Sequence, residues 1–241
     1  MDGTSPDPKF LEIVALSKRY GEQTVLRDVA FSLRTGEVLG IVGPNGAGKT
    51  TLLEAIAGLL PVDSGAVVWE GRALSAAQRR AALFYLPDGL RPYPDQFVVQ
   101  VLAFFAGAYR ASSAQLGAAI DGLGLAPVLR KRVHALSKGY ARRLVLTLGL
   151  LTPQPVLLMD EPFDGFDLRQ TRDVVQLLRG VAASGRTLVL AIHQLMDAER
   201  ACDRFLLLDN GRVRALGTLA ELRARASSPA GSLEDVFLAL T

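Results

Sequence analysis

Apolar positions along this 241-residue chain follow more than one rhythm, and each predicts a different element. Near the amino end, Leu11-Glu12-Ile13-Val14-Ala15-Leu16 alternates in part. Ala66-Val67-Val68-Trp69 is a short apolar run between Gly65 and the Glu70-Gly71 turn. Both read as strands, and together they predict an antiparallel layer on the amino-terminal side. Val38-Leu39-Gly40-Ile41-Val42, Val156-Leu157-Leu158-Met159 and Thr187-Leu188-Val189-Leu190-Ala191-Ile192 are apolar throughout, the pattern of strands buried on both faces. Helical spacing separates them: Leu52, Leu53, Ile56, Leu59 and Leu60 follow the first, and Val174, Leu177, Leu178 and Val181 follow the second. Strand and helix in alternation predict an α/β fold with a mostly parallel sheet and ligands at the strands' carboxyl ends.

Between residues 88 and 150 the pattern is helical and alanine-rich, with no convincing strand, which predicts an inserted helical subdomain. Phe205-Leu206-Leu207-Leu208 and Arg212-Val213-Arg214-Ala215 flank Asp209-Asn210-Gly211, a hairpin signal. Thr218 with Glu221, and Ser232 with Asp235, each set a capping oxygen three residues before an acidic partner; Leu233, Val236, Phe237 and Leu240 then form one stripe. Two short helices are expected there. The resulting plan is a disordered tail over residues 1–9 and a single domain over 10–241, with residues 212–241 as a closing strand and helices.

The chemistry is concentrated where the first buried strand ends. Residues 43–51 read Gly-Pro-Asn-Gly-Ala-Gly-Lys-Thr-Thr, a P-loop between a strand and a helix. Gly43, Gly46 and Gly48 let the backbone bend tightly, so that N–H groups of the loop through Asn45 and Ala47, and of the helix start at Thr51, face phosphate. Lys49 supplies a mobile cation for the β- and γ-phosphates, and the Thr50 hydroxyl is a ligand for Mg²⁺. Met159-Asp160-Glu161-Pro162 ends the second buried strand in adjacent carboxylates: Asp160 is placed to hold Mg²⁺ through water, Glu161 to orient and deprotonate an attacking water. His193 closes the third strand at the same rim, beside the γ-phosphate.

Composition narrows the class. The length allows a core without disulfide or metal staples, and a lone cysteine, Cys202, excludes an internal disulfide and fits a reducing compartment. The opening eight residues are polar and proline-rich, without the pattern of a secretion signal. The longest apolar stretch, from Phe97 to Ala106, is interrupted by Gln100 and too short to span a bilayer. A soluble or peripheral protein is expected. With a net charge of +3, and a basic cluster at Arg130-Lys131-Arg132 that lacks interleaved aromatics, no nucleic-acid partner is expected.

With these motifs in this order, the chain from about residue 11 to its carboxyl end resembles the nucleotide-binding domain of ABC ATPases. The most diagnostic segment is Leu136-Ser137-Lys138-Gly139-Tyr140, similar to the family's signature loop before a helix expected from Arg142 to Leu151. The resemblance implies that Ser137 and the Gly139 N–H cap the γ-phosphate of ATP bound by a second subunit, identical or a paralogue. It assigns Tyr20 to stacking on adenine, with an exposed strand-end tyrosine as the alternative, and Asp167 to a loop touching the opposite active site, a role compatible with a helix amino-cap before Leu168. Asp88 stands where the family commonly has glutamine; contact with Mg²⁺ through water and a simple hinge both remain open. Lys138 and Tyr140 replace the common glycine and glutamine of the signature loop, and lysine there resembles exporters.

The implied function is an ATP-driven dimer that opens on hydrolysis and drives a separate membrane permease from the cytoplasmic face of the membrane. Tyr93, Phe97 and Phe104 are candidate permease contacts or plain core. The ending Ser232-Leu233-Glu234-Asp235-Val236-Phe237-Leu238 is similar to exporter ATPases of the drug, polysaccharide and antibiotic-resistance type, and no additional regulatory domain of the sugar-importer kind is expected. Export is therefore the expected direction. A soluble ABC ATPase acting on ribosomes or DNA, or a low-turnover nucleotide sensor, are the alternatives.

Overall fold

A computed structural model describes residues 10–241; the tail expected over residues 1–9 lies outside the described residues. From the amino end, β1 (Leu11–Tyr20) and β2 (Gln23–Leu33) form a hairpin, and β3 (Val38–Val42) leads through the glycine-rich loop into α1 (Lys49–Ala57). Strands β4 (Ser64–Trp69) and β5 (Arg72–Ala73) follow, then α2 (Ala76–Ala82) and β6 (Leu83–Leu86). Helices α3 (Val98–Tyr109), α4 (Ser113–Gly122) and α5 (Lys138–Leu150) occupy the next stretch, with two 3₁₀ turns between the last two. Alternation then resumes with β7 (Val156–Asp160), α6 (Leu168–Ala183), β8 (Thr187–Ile192), α7 (Leu195–Ala201) and β9 (Arg204–Asp209). The chain closes with β10 (Arg212–Gly217), α8 (Leu219–Arg225) and α9 (Leu233–Leu240).

Strands β2-β1-β4-β5 make an antiparallel sheet, and β10-β9-β3-β8-β7-β6 a six-stranded one, parallel except for the β9–β10 hairpin. Every residue of β3, β7 and β8 is buried, as their unbroken apolar runs require. One face of the large sheet packs with the antiparallel layer and α1 around Leu39, Ile41, Leu53 and Leu158; the other packs with the helices around Leu144, Leu157, Leu178 and Leu190. Each fully buried leucine contributes about 2 kcal/mol, so these two faces hold the site's scaffold rigid. The order β3-β8-β7 matters most for function. It sets three strand ends side by side, with Val42 opposite Ile192 and Asp160 opposite Ala191. At about 4.8 Å per strand, the loops that follow β3 and β7 are only about 10 Å apart.

Several elements differ from the periodicity reading. Helix α1 stops at Ala57 because Gly58 takes a left-handed conformation (φ 75°), leaving Leu59 outside the helix and exposed. Helix α5 starts at Lys138, four residues before the expected Arg142, because the Ser137 hydroxyl accepts the Tyr140 N–H at 3.4 Å and caps it. The long β2 was hidden by a bulge: Asp28 sits at φ 49°, so alternation changes phase within the strand. A matching bulge at Ala15 explains why β1 alternates only in part. Gly65 fits beneath it, since a Cβ there would lie 2.4 Å from the Ala15 carbonyl oxygen. The capping box Ser75/Gln78 marks the start of α2. The two closing helices carry the expected boxes at Thr218/Glu221 and Ser232/Asp235.

Candidate functional site

The glycine-rich loop is shaped by contacts that admit no side chain. A Cβ on Gly43 would fall 2.1 Å from the Leu208 carbonyl oxygen, and Gly48, at φ 102°, abuts the Val25 carbonyl oxygen of β2. The Ala47 carbonyl accepts the Gly211 N–H at 3.1 Å, tying the loop to the β9–β10 turn. Asn45 and Gly46 stand exposed at the crest while Ala47, Gly48 and Lys49 are buried beneath it. Lys49 Nζ donates to the Gly43 carbonyl at 2.8 Å and to Pro44 at 3.2 Å. Burial lowers the affinity of this amine for its proton, while Glu161 and Asp160 oppose that shift. Thr50 and Thr51 occupy the first turn of α1.

Thr50 Oγ1 donates to Asp160 Oδ2 at 2.6 Å, so the loop and the end of β7 are joined through two hard oxygen donors. That pairing suits a small hard cation that keeps most of its water, and among the described residues no three-residue His/Cys/Asp/Glu cluster offers a complete cage of another kind. Burial raises the pKa of the Asp160 carboxyl above its ordinary value, with the Thr50 hydrogen bond opposing and Asp88 adding to the rise. Ionised Asp160 therefore costs stability in the free protein. Asp160→Asn is expected to melt higher than the parent at neutral pH by differential scanning calorimetry. The gap narrows on acidification, because the parent relieves the penalty by taking up a proton.

Glu161 has φ 48°, a left-handed conformation costing about 1–3 kcal/mol in a residue with a side chain. Its amide donates to the Ala191 carbonyl of β8 at 2.9 Å, and its carboxylate Oε2 lies 2.6 Å from His193 Nδ1 and 3.3 Å from the His193 amide. Two side chains that the periodicity reading did not select complete the surroundings. Tyr85, on β6, is half-buried beside Asp160, and desolvation with that neighbour pushes its phenol pKa up. Arg142, on α5, is buried and donates to the carbonyls of Asp160, at 2.9 Å, and Glu161. The signal for Arg142 is a basic residue in the buried part of a helix whose other buried side chains carry no charge.

Lys49, Thr50, Asp160, Glu161 and His193 thus meet at one rim. Asp88 is exposed and acts electrostatically on Asp160, yet its carboxylate is 3.4 Å from Arg142 Nη1. Tyr20 is half exposed at the end of β1, with Lys18 Nζ 5.3 Å from its ring centre. Ser137 caps α5, and among the described residues no hydrogen bond joins it to the cradle of its own chain. Gly139 faces Gln170 in the first turn of α6 and Gly165 on the loop before it, and Lys138 Nζ pairs with Asp164 of that loop at 3.0 Å. Asp167 caps α6 by accepting the Gln170 N–H at 2.9 Å. Tyr93 and Phe104 are 78% and 70% exposed, which removes the core alternative for both. Phe97 is 36% exposed and lies under Arg132.

The ABC transporter family profile matches residues 26–164, more than half of the chain. The chain belongs to the ABC transporter ATP-binding family. It is 36% identical to Nod factor export ATP-binding protein I of Ralstonia nicotianae, over 91% of this chain and 70% of that protein. It is 28% identical to linearmycin resistance ATP-binding protein LnrL of Bacillus subtilis, over 90% of this chain and 71% of that one. A solved ATP-binding subunit of an ABC transporter superposes with a TM-score of 0.85 at 32% identity, covering 96% of this chain and 99% of that one. This ABC subunit is therefore an ATP-binding domain of a family that hydrolyses ATP; of the rim just described, Lys49, Thr50, Asp160 and Glu161 lie within the matched residues and His193 lies beyond them. No helix among the described residues is long and apolar enough to cross a membrane.

Proposed function

We propose that this ABC ATPase hydrolyses Mg²⁺–ATP at the rim formed by β3, β7 and β8, as half of an ATP-bridged dimer that drives export through a separate membrane permease. One observation carries the reading. The cradle, Glu161 and His193 meet within one chain, whereas Ser137, the loop residue suited to a γ-phosphate, is exposed at a helix start and, among the described residues, has no hydrogen bond to that cradle. A second subunit supplies it. Lys49 and the loop N–H groups bind phosphate; Glu161 takes a proton from the attacking water, and His193 orients the Glu161 carboxylate. Thr50 and Asp160 would hold Mg²⁺, which would supply shielding of negative charge on the phosphate. Tyr20 offers a face to adenine. The Nod factor export protein and the linearmycin resistance protein support export as the direction. The exposed Tyr93 and Phe104 give the permease an apolar contact, and the subunit sits peripherally on the cytoplasmic face.

Ser137→Asp separates helix capping from phosphate recognition, because aspartate caps a helix as well as serine but repels phosphate. With hydrolysis slowed by Glu161→Gln, this variant is expected to bind ATP as a monomer with unchanged affinity by calorimetry and to lose the dimer in light scattering. A full complement of dimer would overturn the cross-subunit assignment.

A further inference from the structure

Arg142 touches both Asp88, where the chain departs from the family's usual glutamine, and Glu161, whose backbone is left-handed. On one side its Nη1 is 3.4 Å from the Asp88 carboxylate, in the loop between β6 and α3. On the other, Nη2 donates to the carbonyls of Asp160, at 2.9 Å, and of Glu161. Glu161 is the residue at φ 48°. Its N–H is fixed to β8 through the Ala191 carbonyl at 2.9 Å, and its own carbonyl accepts from Asp164 N at 3.1 Å as well as from Arg142. The strained residue is thus fastened to β8 at one end and to α5, the helix opened by Ser137, at the other.

A guanidinium is suited to this task. Its donors are set at fixed angles in a plane, so one side can grip a carboxylate while the other reads two carbonyls. A lysine would reach only one of the two sides, and a glutamine would lose the charge that holds Asp88. The guanidinium is 8% exposed, and Asp88 is the carboxylate in direct reach of it. Asp160, Glu161 and Asp164 add attraction from the β7 side.

We propose that Arg142 is a positioning residue for ATP hydrolysis: its guanidinium, oriented by Asp88, holds Glu161 in the left-handed backbone conformation that aims its carboxylate. The proposal rests on the reading that Glu161 acts on ATP. Asp88 then works through Arg142, not through a metal ion. The clasp also joins the Asp88 loop and the amino end of α5 to the backbone of Glu161, so a shift of either one is felt at the catalytic carboxylate.

The test is a double-mutant cycle in the full chain with Mg²⁺–ATP, with kcat, KM and calorimetric ATP affinity measured for Arg142→Gln, Asp88→Asn, both together, and Arg142→Lys. Arg142→Gln is expected to lower kcat about 10-fold or more while KM and ATP affinity stay within about threefold, since the phosphate cradle is untouched. Asp88→Asn is expected to lower kcat about 3-fold, the double variant to fall no lower than Arg142→Gln, and Arg142→Lys to recover part of the loss. Normal kcat in Arg142→Gln, or a fall in affinity that matches the fall in kcat, overturns the proposal. So does multiplication of the two single effects, which would place Asp88 in a separate role. If Arg142→Gln does not fold, Asp88→Asn at an exposed carboxylate decides alone, and an unchanged kcat there overturns the clasp. Glu161→Gln in the same assay distinguishes the two failures: if it also turns over normally, the assignment of Glu161 has failed, whereas a slow Glu161→Gln beside a normal Arg142→Gln sinks only the clasp.

Discussion

Glu161→Gln is expected to slow ATP turnover about 100-fold or more, equivalent to roughly 3 kcal/mol or above in the barrier, while ATP binding is retained. The substitution keeps the size of the side chain and a hydrogen-bonding oxygen toward His193, which now lies 2.6 Å from the carboxylate, but removes the basicity that accepts a proton from water. The backbone at φ 48° is equally accessible to either residue, so the fold is not the quantity at risk. The expected signature is a split. Phosphate release in single turnover falls steeply, and the ATP-bound dimer becomes long-lived and visible by light scattering. A variant that retains a tenth of the parental rate takes Glu161 out of the mechanism.

The second large effect concerns affinity. Lys49→Ala is expected to weaken ATP binding about 10- to 100-fold, roughly 1.4 to 2.7 kcal/mol, because the amine buried at the base of the cradle is the cation directed at the phosphates. In the free chain that amine is held by the carbonyls of Gly43 and Pro44, at 2.8 and 3.2 Å, within the electrostatic reach of Asp160 and Glu161. Its loss therefore leaves an excess of negative charge where phosphate must enter. Calorimetry reads the affinity directly. An unchanged dissociation constant would mean that phosphate is bound elsewhere.

These two expectations differ in how early they could be made. Lys49 was legible as soon as the glycines around it were read between an apolar strand and a helical stripe, because a phosphate cradle is a local structure whose residues are neighbours in sequence. Glu161 was legible as a strand-end carboxylate. Its left-handed backbone was not, since that conformation is imposed by contacts with Ala191 on β8 and Arg142 on α5. Asp88 shows the same division: its departure from the family pattern was plain, whereas its partner lies 54 positions away and meets it only once α5 packs under the loop. β2 stayed hidden because its bulge at Asp28 shifts the alternation that betrays a strand. Helix ends moved for equally local reasons, the left-handed Gly58 closing α1 early and the Ser137 hydroxyl opening α5 at Lys138.

Sequence alone determined the α/β class, the buried strands, the phosphate cradle and the identity of the acidic pair and the histidine, because each is encoded in adjacent residues or in a short period of burial. Only the tertiary structure decided that β3, β8 and β7 are neighbours in that order and that Thr50 meets Asp160 and Glu161 meets His193 across their ends. It also set the buried Arg142 between Asp88 and the Glu161 backbone. Those outcomes depend on contacts between residues far apart in the chain, where packing of whole elements chooses the partner and local periodicity carries no record of the choice.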